Sequence, residues 1–458
     1  MKVIFIVPTD AIRRTPVYRL GGSIYGYSNV ITGPLVLGHI LKNAGHQVEV
    51  YEELNEDVDF SQCMDADVIG IYTMTSCAPR AYNIADMFRQ HNCRVILGGM
   101  HASAVPEEAI KHADQVIVGE AESVIKDVVE KKITDKIIKA PIIYNLDEIP
   151  FPDYSLLKTS CSAANVITTR GCPFSCSFCT TSRMFHPYRE RSVENVIEEL
   201  RYYKSLGFKC MNFEDDNFTA NKKRTKKLLR RMIEENLVFK ETFFFGRTDL
   251  AEDEELLQLL QKAHLNRVLV GIESLNQKSL NAINKKQKIV DIEKCAKRLA
   301  QYKIRLIASL VLGLDDDSIE DIRRGVKFCR HINAYQLQPA VLTPFPGTPV
   351  YKKFIKEKRM ITDNWRYFDM MNVTFKPRNM SAWQLQKEFF HSVRKFYNFT
   401  SSFKIMRLFG FDSGIRRLGL WFISRIGIAF SYFYIWFGKH NYYTNLKKFC
   451  SNNKTLTE

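Results

Sequence analysis

The sequence contains no uninterrupted apolar run approaching the ~20 residues needed to cross a bilayer. Its opening stretch, MKVIFIVPTD, is apolar over too few residues to form a signal-peptide core and reads as a buried strand. These absences set the expectation of a cytoplasmic protein, peripheral to a membrane at most. Eleven cysteines in 458 residues fall far short of a secreted disulfide scaffold, so the thiols are expected to be reduced. Low-complexity tracts and fixed-period repeats are missing too, which argues against disordered and solenoid organisation.

What is present is the composition of a folded multidomain protein, 45% hydrophobic and 25% charged. Strand-like and helix-like blocks alternate along KVIFIVP, HQVEVYE, ADVIGIYTMT, RVILGGMH and DQVIVGEAES. That spacing predicts an N-terminal α/β domain over residues 1–140, a doubly wound, Rossmann-like sheet that binds ligands at its strand ends. The proline-rich stretch within 141–160 reads as a linker. Six further strand-helix units over 161–365 are too few for a closed eight-stranded barrel and predict a partial (β/α)6 TIM-type barrel. Residues 366–458 read as a helical, basic, aromatic C-terminal region. From Ser381 onward, 12 Lys and Arg face 3 Asp and Glu, so 78 residues carry +9 of the net +16, with 20 of the 55 aromatics.

One short stretch concentrates the chemistry. TTRGCPFSCSFCTTS places Cys172, Cys176 and Cys179 within eight residues, so that one loop can present three thiolates to one metal group. The nearest other cysteines, Cys161 and Cys210, lie 11 residues before and 31 after. Sequence distance alone leaves either open as a fourth ligand, and zinc remains an alternative. Zinc motifs pair such a gap with a second Cys or His pair, however, and His186 has no partner nearby. Three ligands leave one metal position open, as catalytic metal sites require.

RGCPFSCSFC resembles the cluster loop of the radical S-adenosylmethionine (SAM) superfamily, with its Cys-x3-Cys-x2-Cys spacing and an aromatic before the last cysteine. The resemblance implies that Cys172, Cys176 and Cys179 hold a [4Fe–4S] cluster whose open iron binds SAM, and that one electron then yields a 5′-deoxyadenosyl radical. Phe178 would pack near the adenine. NFEDDNF is similar to the acidic second-strand segment of the cobalamin-binding branch, which gives Asp215 and Asp216 the ammonium of SAM. VGIES resembles the fourth-strand motif, with Glu273 toward the cofactor. LVLGLDDDS resembles the fifth-strand motif, with Gly313 beside the adenine, although Asp315, Asp316 and Asp317 replace the usual continuation. TPFPGTPVY matches a structural turn.

ADVIGIYTMTSCAPRA, VILGGMHASAVPEE and DQVIVGEAES together resemble the cobalamin-binding domain that precedes many such enzymes. Gly98 and Gly99 would let the backbone approach a large flat ligand, and Thr73, Thr75 and Ser76 would offer hydroxyls. The cobalt-ligating histidine of that domain's best-known form is missing from TDAIRRTPVYRLGGSIYG, which keeps only Asp10. His39, His46 and His101 read as surface or helix-capping residues.

The tail combines Arg416, Arg417, Arg425 and Lys439 with Trp421, Phe422, Phe430 and Trp436. It suits a helix lying in a membrane interface or a cap over the open side of the barrel; nucleic acid is not expected. Only Cys210, Cys295, Cys329 and Cys450 follow the cluster loop, which argues against an auxiliary cluster. The expected activity is cobalamin-dependent C-methylation of an unactivated carbon in a small-molecule or lipid substrate, with a flavodoxin- or ferredoxin-like electron donor. The alternatives are a radical cyclase, oxidase or rearrangement enzyme acting on a tetrapyrrole, lipid or natural product, and a non-catalytic cluster-binding protein. Tyr188, Arg247 and Asp249 are further pocket candidates.

Overall fold

A computed structural model describes residues 1–10, 13–14, 19, 30–55, 57–159, 161–436 and 441–452. The greater part of the loop that lacks the cobalt-ligating histidine, Lys439, and the side chains of Phe430 and Trp436 lie outside the described set.

Six parallel strands form the first sheet: β1 (Lys2–Val7), β2 (Gln47–Glu52), β3 (Val68–Tyr72), β4 (Arg94–Gly98), β5 (Gln115–Val118) and β6 (Ile137–Lys139), in the order β2-β1-β3-β4-β5-β6. The run Val3–Val7 is buried at every position, as a parallel strand covered on both faces demands. Helix α1 (Thr32–Asn43) covers one face, packing Leu35 and Leu41 against Phe5, Val48 and Ile96; α2 (Ala78–Gln90) covers the other. The strand order reverses between β1 and β3, where such sheets open a crevice. β6 has no counterpart among the strands read from the sequence, being only three residues long.

The expected linker does more than connect. Leu157 bridges Val50 of the edge strand β2, Lys158 N–H donates to Val50 O at 2.9 Å, and Lys42 pairs with Asp153 at 2.8 Å.

The second sheet is also six-stranded and parallel, built from β7 (Ala163–Val166), β10 (Cys210–Phe213), β11 (Glu241–Gly246), β12 (Arg267–Glu273), β13 (Arg305–Leu312) and β14 (Gln336–Val341). Its order, β14-β13-β12-β11-β10-β7, leaves β7 and β14 unjoined, so the barrel is open as six units require. Between β7 and β10 a small antiparallel pair, β8 (Thr169–Arg170) with β9 (Arg189–Glu190), pinches the cysteine stretch into a closed loop. Helices α3 (Val193–Ser205), α4 (Lys222–Glu234), α5 (Glu254–Lys262), α6 (Ile289–Gln301) and α7 (Ile319–His331) turn apolar stripes onto the strands.

After a short helix at Pro349–Lys356, the described residues end in four more: α8 (Ala382–Phe396), α9 (Phe399–Phe409), α10 (Phe411–Trp436) and α11 (Asn441–Asn452). α8 packs on α7 and on β14, covering that edge of the open barrel. α10 docks at the N-terminal ends of the strands. There Arg416 pairs with Glu241 at 3.1 Å, and the buried Arg417 donates to the carbonyls of Ala334 and Tyr335. No helix among the described residues is long and apolar enough to cross a membrane.

Candidate active site at the junction of the two sheets

The cysteine loop is anchored across the top of the barrel. Gly171 opens it with φ +81°, and a Cβ there would collide with Phe185 O, so only glycine allows this entry. Ser177 N–H donates to Ile283 O at 3.0 Å, and Asn284 Nδ2 donates to Ser175 Oγ at 2.8 Å. Phe174 lies beneath the Arg247 guanidinium at 3.8 Å, while Arg247 also donates to Lys285 O. Burial pushes the Cys172 thiol up to about 11. Burial raises Cys176 as well, opposed by the positive charges of Lys285 and Arg247. All three cysteines are free thiols. Among the described residues no three His, Cys, Asp or Glu side chains converge tightly enough for a single ion; in an iron–sulfur cluster each cysteine ligates its own iron, so its ligands stand further apart.

The acidic run after β10 splits into unlike parts. Asp215 is fully buried and accepts from Thr168 N–H at 2.7 Å, Thr168 Oγ1 at 3.0 Å, Thr169 N–H at 2.5 Å and Thr169 Oγ1 at 2.9 Å. Its oxygens are committed to fastening the end of β7, and Arg224 from α4 secures Thr168 from the other side at 3.2 Å. Asp215 therefore differs from the sequence expectation: it braces the cysteine loop and leaves no oxygen for a ligand. Glu214 and Asp216 instead line a cavity. Glu214 Oε1 is buried without a hydrogen-bond partner, and burial beside Asp215 raises its carboxyl to about 7. Burial raises Asp216 to about 6 against a hydrogen bond from Thr181.

That cavity, about 420 Å³, belongs to both sheets. One end runs between α1 and the face of the first sheet, along Phe5, Ile96 and Ile117. Gly70 belongs to this wall; a Cβ there would meet the Phe5 ring at 2.5 Å. The other end reaches Thr169, Gly171, Thr181, Glu214 and Asp216 beside the cysteine loop. Gly98, Gly99 and Gly119 line its middle, and Leu146 and Ile149–Pro152 of the connecting segment close one side. Gly99 has φ +94°, and a Cβ would meet Thr73 N at 2.9 Å.

A buried ionic junction clamps the two parts together. Glu120, in the loop after β5, accepts from Arg189 Nη2 at 2.6 Å, Arg189 Nη1 at 2.8 Å and Ile143 N–H at 2.9 Å; Arg170 lies 3.3 Å away and also pairs with Glu122. Burial opposes the Glu120 charge, but the Arg189 bonds, Ile143 N–H and Arg170 hold its carboxyl below the usual range. Arg170 ends β8 and Arg189 begins β9, so a glutamate of the first sheet grips both arms of the cysteine loop.

The Radical SAM superfamily model matches residues 166–329, and the B12 binding domain model matches residues 32–129. The chain is a radical SAM protein with a B12-binding domain ahead of the barrel. An uncharacterized methyltransferase of Pyrococcus horikoshii is 28% identical over 87% of this chain and 92% of its own. The bacteriochlorophyllide d C-8(2)-methyltransferase of Chlorobaculum tepidum is 27% identical over 72% and 77%. An anaerobic magnesium-protoporphyrin IX monomethyl ester cyclase of Rubrivivax gelatinosus is 23% identical over 87% and 77%. In fold the chain resembles the cobalamin-dependent SAM radical enzyme OxsB, with TM-score 0.65 and 13% identity over 98% of this chain and 84% of that one.

Radical SAM proteins of this kind use a [4Fe–4S] cluster, SAM and cobalamin. The residues present fit these groups. Three free thiols share one loop beside two cations, bare glycine backbone lines a slot at the strand ends, and the unpartnered Glu214 oxygen lies at the wall of the same cavity.

Several residues expected to touch cofactors have other partners in this radical SAM chain. Thr73 Oγ1 donates to Gly98 O at 2.8 Å and accepts from Ala102 N–H at 3.0 Å; it shapes the glycine turn from behind. Thr75 and Ser76 lie buried in a 3-10 turn against residues 365–367, off the cavity wall. Glu273, at φ +62°, pairs with Lys285 at 2.6 Å, in space that a side chain at Gly271 would occupy. Gly313, at φ +88°, receives Leu385 of α8. Asp315 pairs with Lys353 and Arg359, and Asp317 accepts from Ser274 and Ser279. Phe178 is half-buried against the barrel core, Tyr188 donates to Glu190, and Asp249 pairs with Lys222 at 3.5 Å.

The histidines also depart from expectation. His101 is neither exposed nor capping: it is fully buried against Trp365, 5.0 Å between rings, with Glu108 at 3.6 Å. His39 bonds Phe151 O at 2.7 Å, and His46 faces Glu130 at 3.5 Å. None of the three lines the cavity. The sequence reading missed Glu120, Arg170 and Glu214, although Glu120 lies in the quoted GEAES and Glu214 begins the acidic run.

Proposed function

We propose that this radical SAM enzyme methylates an unactivated carbon of a small organic substrate. The carrying observation is the single cavity that joins the strand ends of the B12-binding domain to the cysteine loop of the barrel. When bound, cobalamin supplies a transferable methyl group, and the cluster with SAM supplies a hydrogen-abstracting radical.

The chain's own residues do the rest. Cys172, Cys176 and Cys179 supply three thiolates, with Lys285 and Arg247 offsetting negative charge beside Cys176. Asp216, steadied by Thr181, takes the ammonium of SAM from the cavity side, the role first assigned jointly with Asp215. Phe178 packs beside the adenine. Gly98 and Gly99 expose backbone to the flat face of cobalamin, while Phe5, Ile96, Ile117 and α1 exclude water from the slot that takes its nucleotide tail. Glu214 offers its free oxygen to the amide-rich rim of that cofactor.

The curated methyltransferase relatives support this reading, and the bacteriochlorophyllide enzyme among them favours a large, largely apolar substrate. The cyclase relative favours a second reading, radical cyclisation without methyl transfer. A low-potential flavodoxin- or ferredoxin-like donor would deliver the electron. Anaerobically reconstituted protein incubated with labelled SAM, cobalamin and candidate substrates is expected to release 5′-deoxyadenosine and S-adenosylhomocysteine together. Deoxyadenosine alone would exclude methylation and leave the cyclase reading. Replacing Cys176 with alanine is expected to abolish deoxyadenosine; retained turnover would remove the radical mechanism.

A further inference from the structure

Helix α10 is built inside out. Its buried side holds Ser413, Arg417 and Leu420. Arg417 spends its guanidinium on the carbonyls of Ala334 and Tyr335 and stacks 4.3 Å over Phe396. On the opposite side Phe411, Ile415 and Phe422 stand 71%, 46% and 59% exposed. At 3.6 residues per turn these three fall on one stripe, with the half-buried Leu418 and Ile426 beside them. A surface helix normally does the reverse, hiding its apolar stripe and offering its cations to water.

Helix α9, joined through Gly410, widens the stripe into a face. Phe399 and Phe403 are 52% and 50% exposed; their rings lie 5.1 Å apart, and Phe399 sits 5.9 Å from Trp421 of α10. Every exposed phenylalanine among the described residues belongs to this pair of helices. Singly scattered apolar side chains need no explanation, but a contiguous set marks a contact surface. Exposed cations accompany it: Lys404 and Arg407 on α9 itself, and Arg394 and Lys395 in the last turn of α8, four or five residues before α9 begins. The one exposed acid in the α9–α10 pair, Asp412, is occupied by Arg416 at 3.0 Å.

We propose that the α9–α10 face docks on an anionic lipid bilayer, with both helices lying in the plane of the interface. Aromatic rings enter the headgroup boundary while Lys404, Arg407, Arg394 and Lys395 meet lipid phosphates. Charge selects this occupant over a second copy of the chain. Two-fold pairing through the same face would set these cations against their own copies, whereas anionic lipid neutralises them. Since α10 docks at the N-terminal strand ends and the cysteine loop lies at the C-terminal ends, the docked protein keeps its cavity facing away from the bilayer.

The test uses the full chain with two kinds of vesicle, phosphatidylcholine alone and phosphatidylcholine mixed with phosphatidylglycerol. Flotation is expected with the anionic vesicles only and should weaken as salt rises. The exposed-site variant Phe403→Ser/Phe411→Ser/Phe422→Ser should lose roughly tenfold or more in partitioning, while circular dichroism and cobalamin binding stay unchanged. Lys404→Glu/Arg407→Glu should remove most of the salt-sensitive binding. Equal flotation of wild type and triple variant would overturn the proposal. So would wild-type dimerisation lost in the triple variant with no vesicle binding in either, which would assign the face to self-association.

Discussion

Glu214 leaves the end of β10 with one carboxyl oxygen buried and unpartnered, while the next residue accepts four hydrogen bonds. Burial raises the Glu214 carboxyl to about 7, against an ordinary value near 4.5. Between those values the folded chain keeps a proton that the unfolded chain has released. Stability contributed at this position is therefore present below about pH 4.5 and lost as pH rises through 7. Glu214→Gln removes that penalty, so the apoprotein variant should be more stable than wild type by about 3 kcal/mol at pH 8. The gain should vanish near pH 4, which denaturant melts at the two pH values would read. The same substitution should weaken cobalamin binding, measured by absorbance titration, if the oxygen serves the ligand. Asp215→Asn carries the opposite expectation: it leaves Thr168 and Thr169 donors poorly matched in a dry site and should destabilise by about 1–3 kcal/mol.

At the scale of elements, the hairpin of β8 and β9 depends on partners outside itself. Two residues per strand cannot hold a loop by backbone bonds alone. The clamp is Glu120, which grips Arg170 and Arg189 from a loop of the other sheet. Removing one member of such a buried network strands the other charges, at a cost of about 3–5 kcal/mol. Glu120→Ala should therefore lower stability by that amount and speed loss of iron from reconstituted protein under oxygen, followed by the visible absorbance. Lys227→Ala, which breaks an exposed pair with Glu194, serves as the control and should move stability by less than about 1 kcal/mol. Legibility divides here on physical grounds. The longer strands were readable because each is a local run of buried apolar residues, and the cysteine loop because its ligands sit within eight residues; β6, β8 and β9 are too short to carry such a run. Glu120 and Arg189 stand 69 positions apart, and no local pattern announces such a pair.

The whole molecule is organised around one cavity with walls from both sheets and from the segment between them. A ligand filling it contacts every part, so its binding should be felt across the chain. Hydroxocobalamin added to apoprotein at about 100 times its Kd should raise unfolding free energy by about 2.7 kcal/mol. Limited proteolysis should then slow in both the B12-binding domain and the barrel. Protection confined to residues 1–140 would show that the cavity is not shared in solution. The tail follows the same logic at the other end of the barrel. Sequence left it between a cap and an interfacial helix, and the structure gives α10 both a buried arginine-bearing side and an exposed aromatic one.

The sequence by itself determined the α/β alternation, the open six-unit barrel and the three-thiol loop. Each follows from residues adjacent along the chain: hydrophobic period, turn residues, and ligand spacing short enough for one loop. Tertiary structure alone decided which acid of Glu214-Asp215-Asp216 is free, because the donors that occupy Asp215 arrive from Thr168 and Thr169, 47 and 46 positions away. It also decided that Thr73 and Gly313 support backbone and helix packing, since only the folded chain brings Ala102 and Leu385 against them. A side chain's chemistry is written in its residue type, but what remains available for a ligand depends on which partners folding has already supplied.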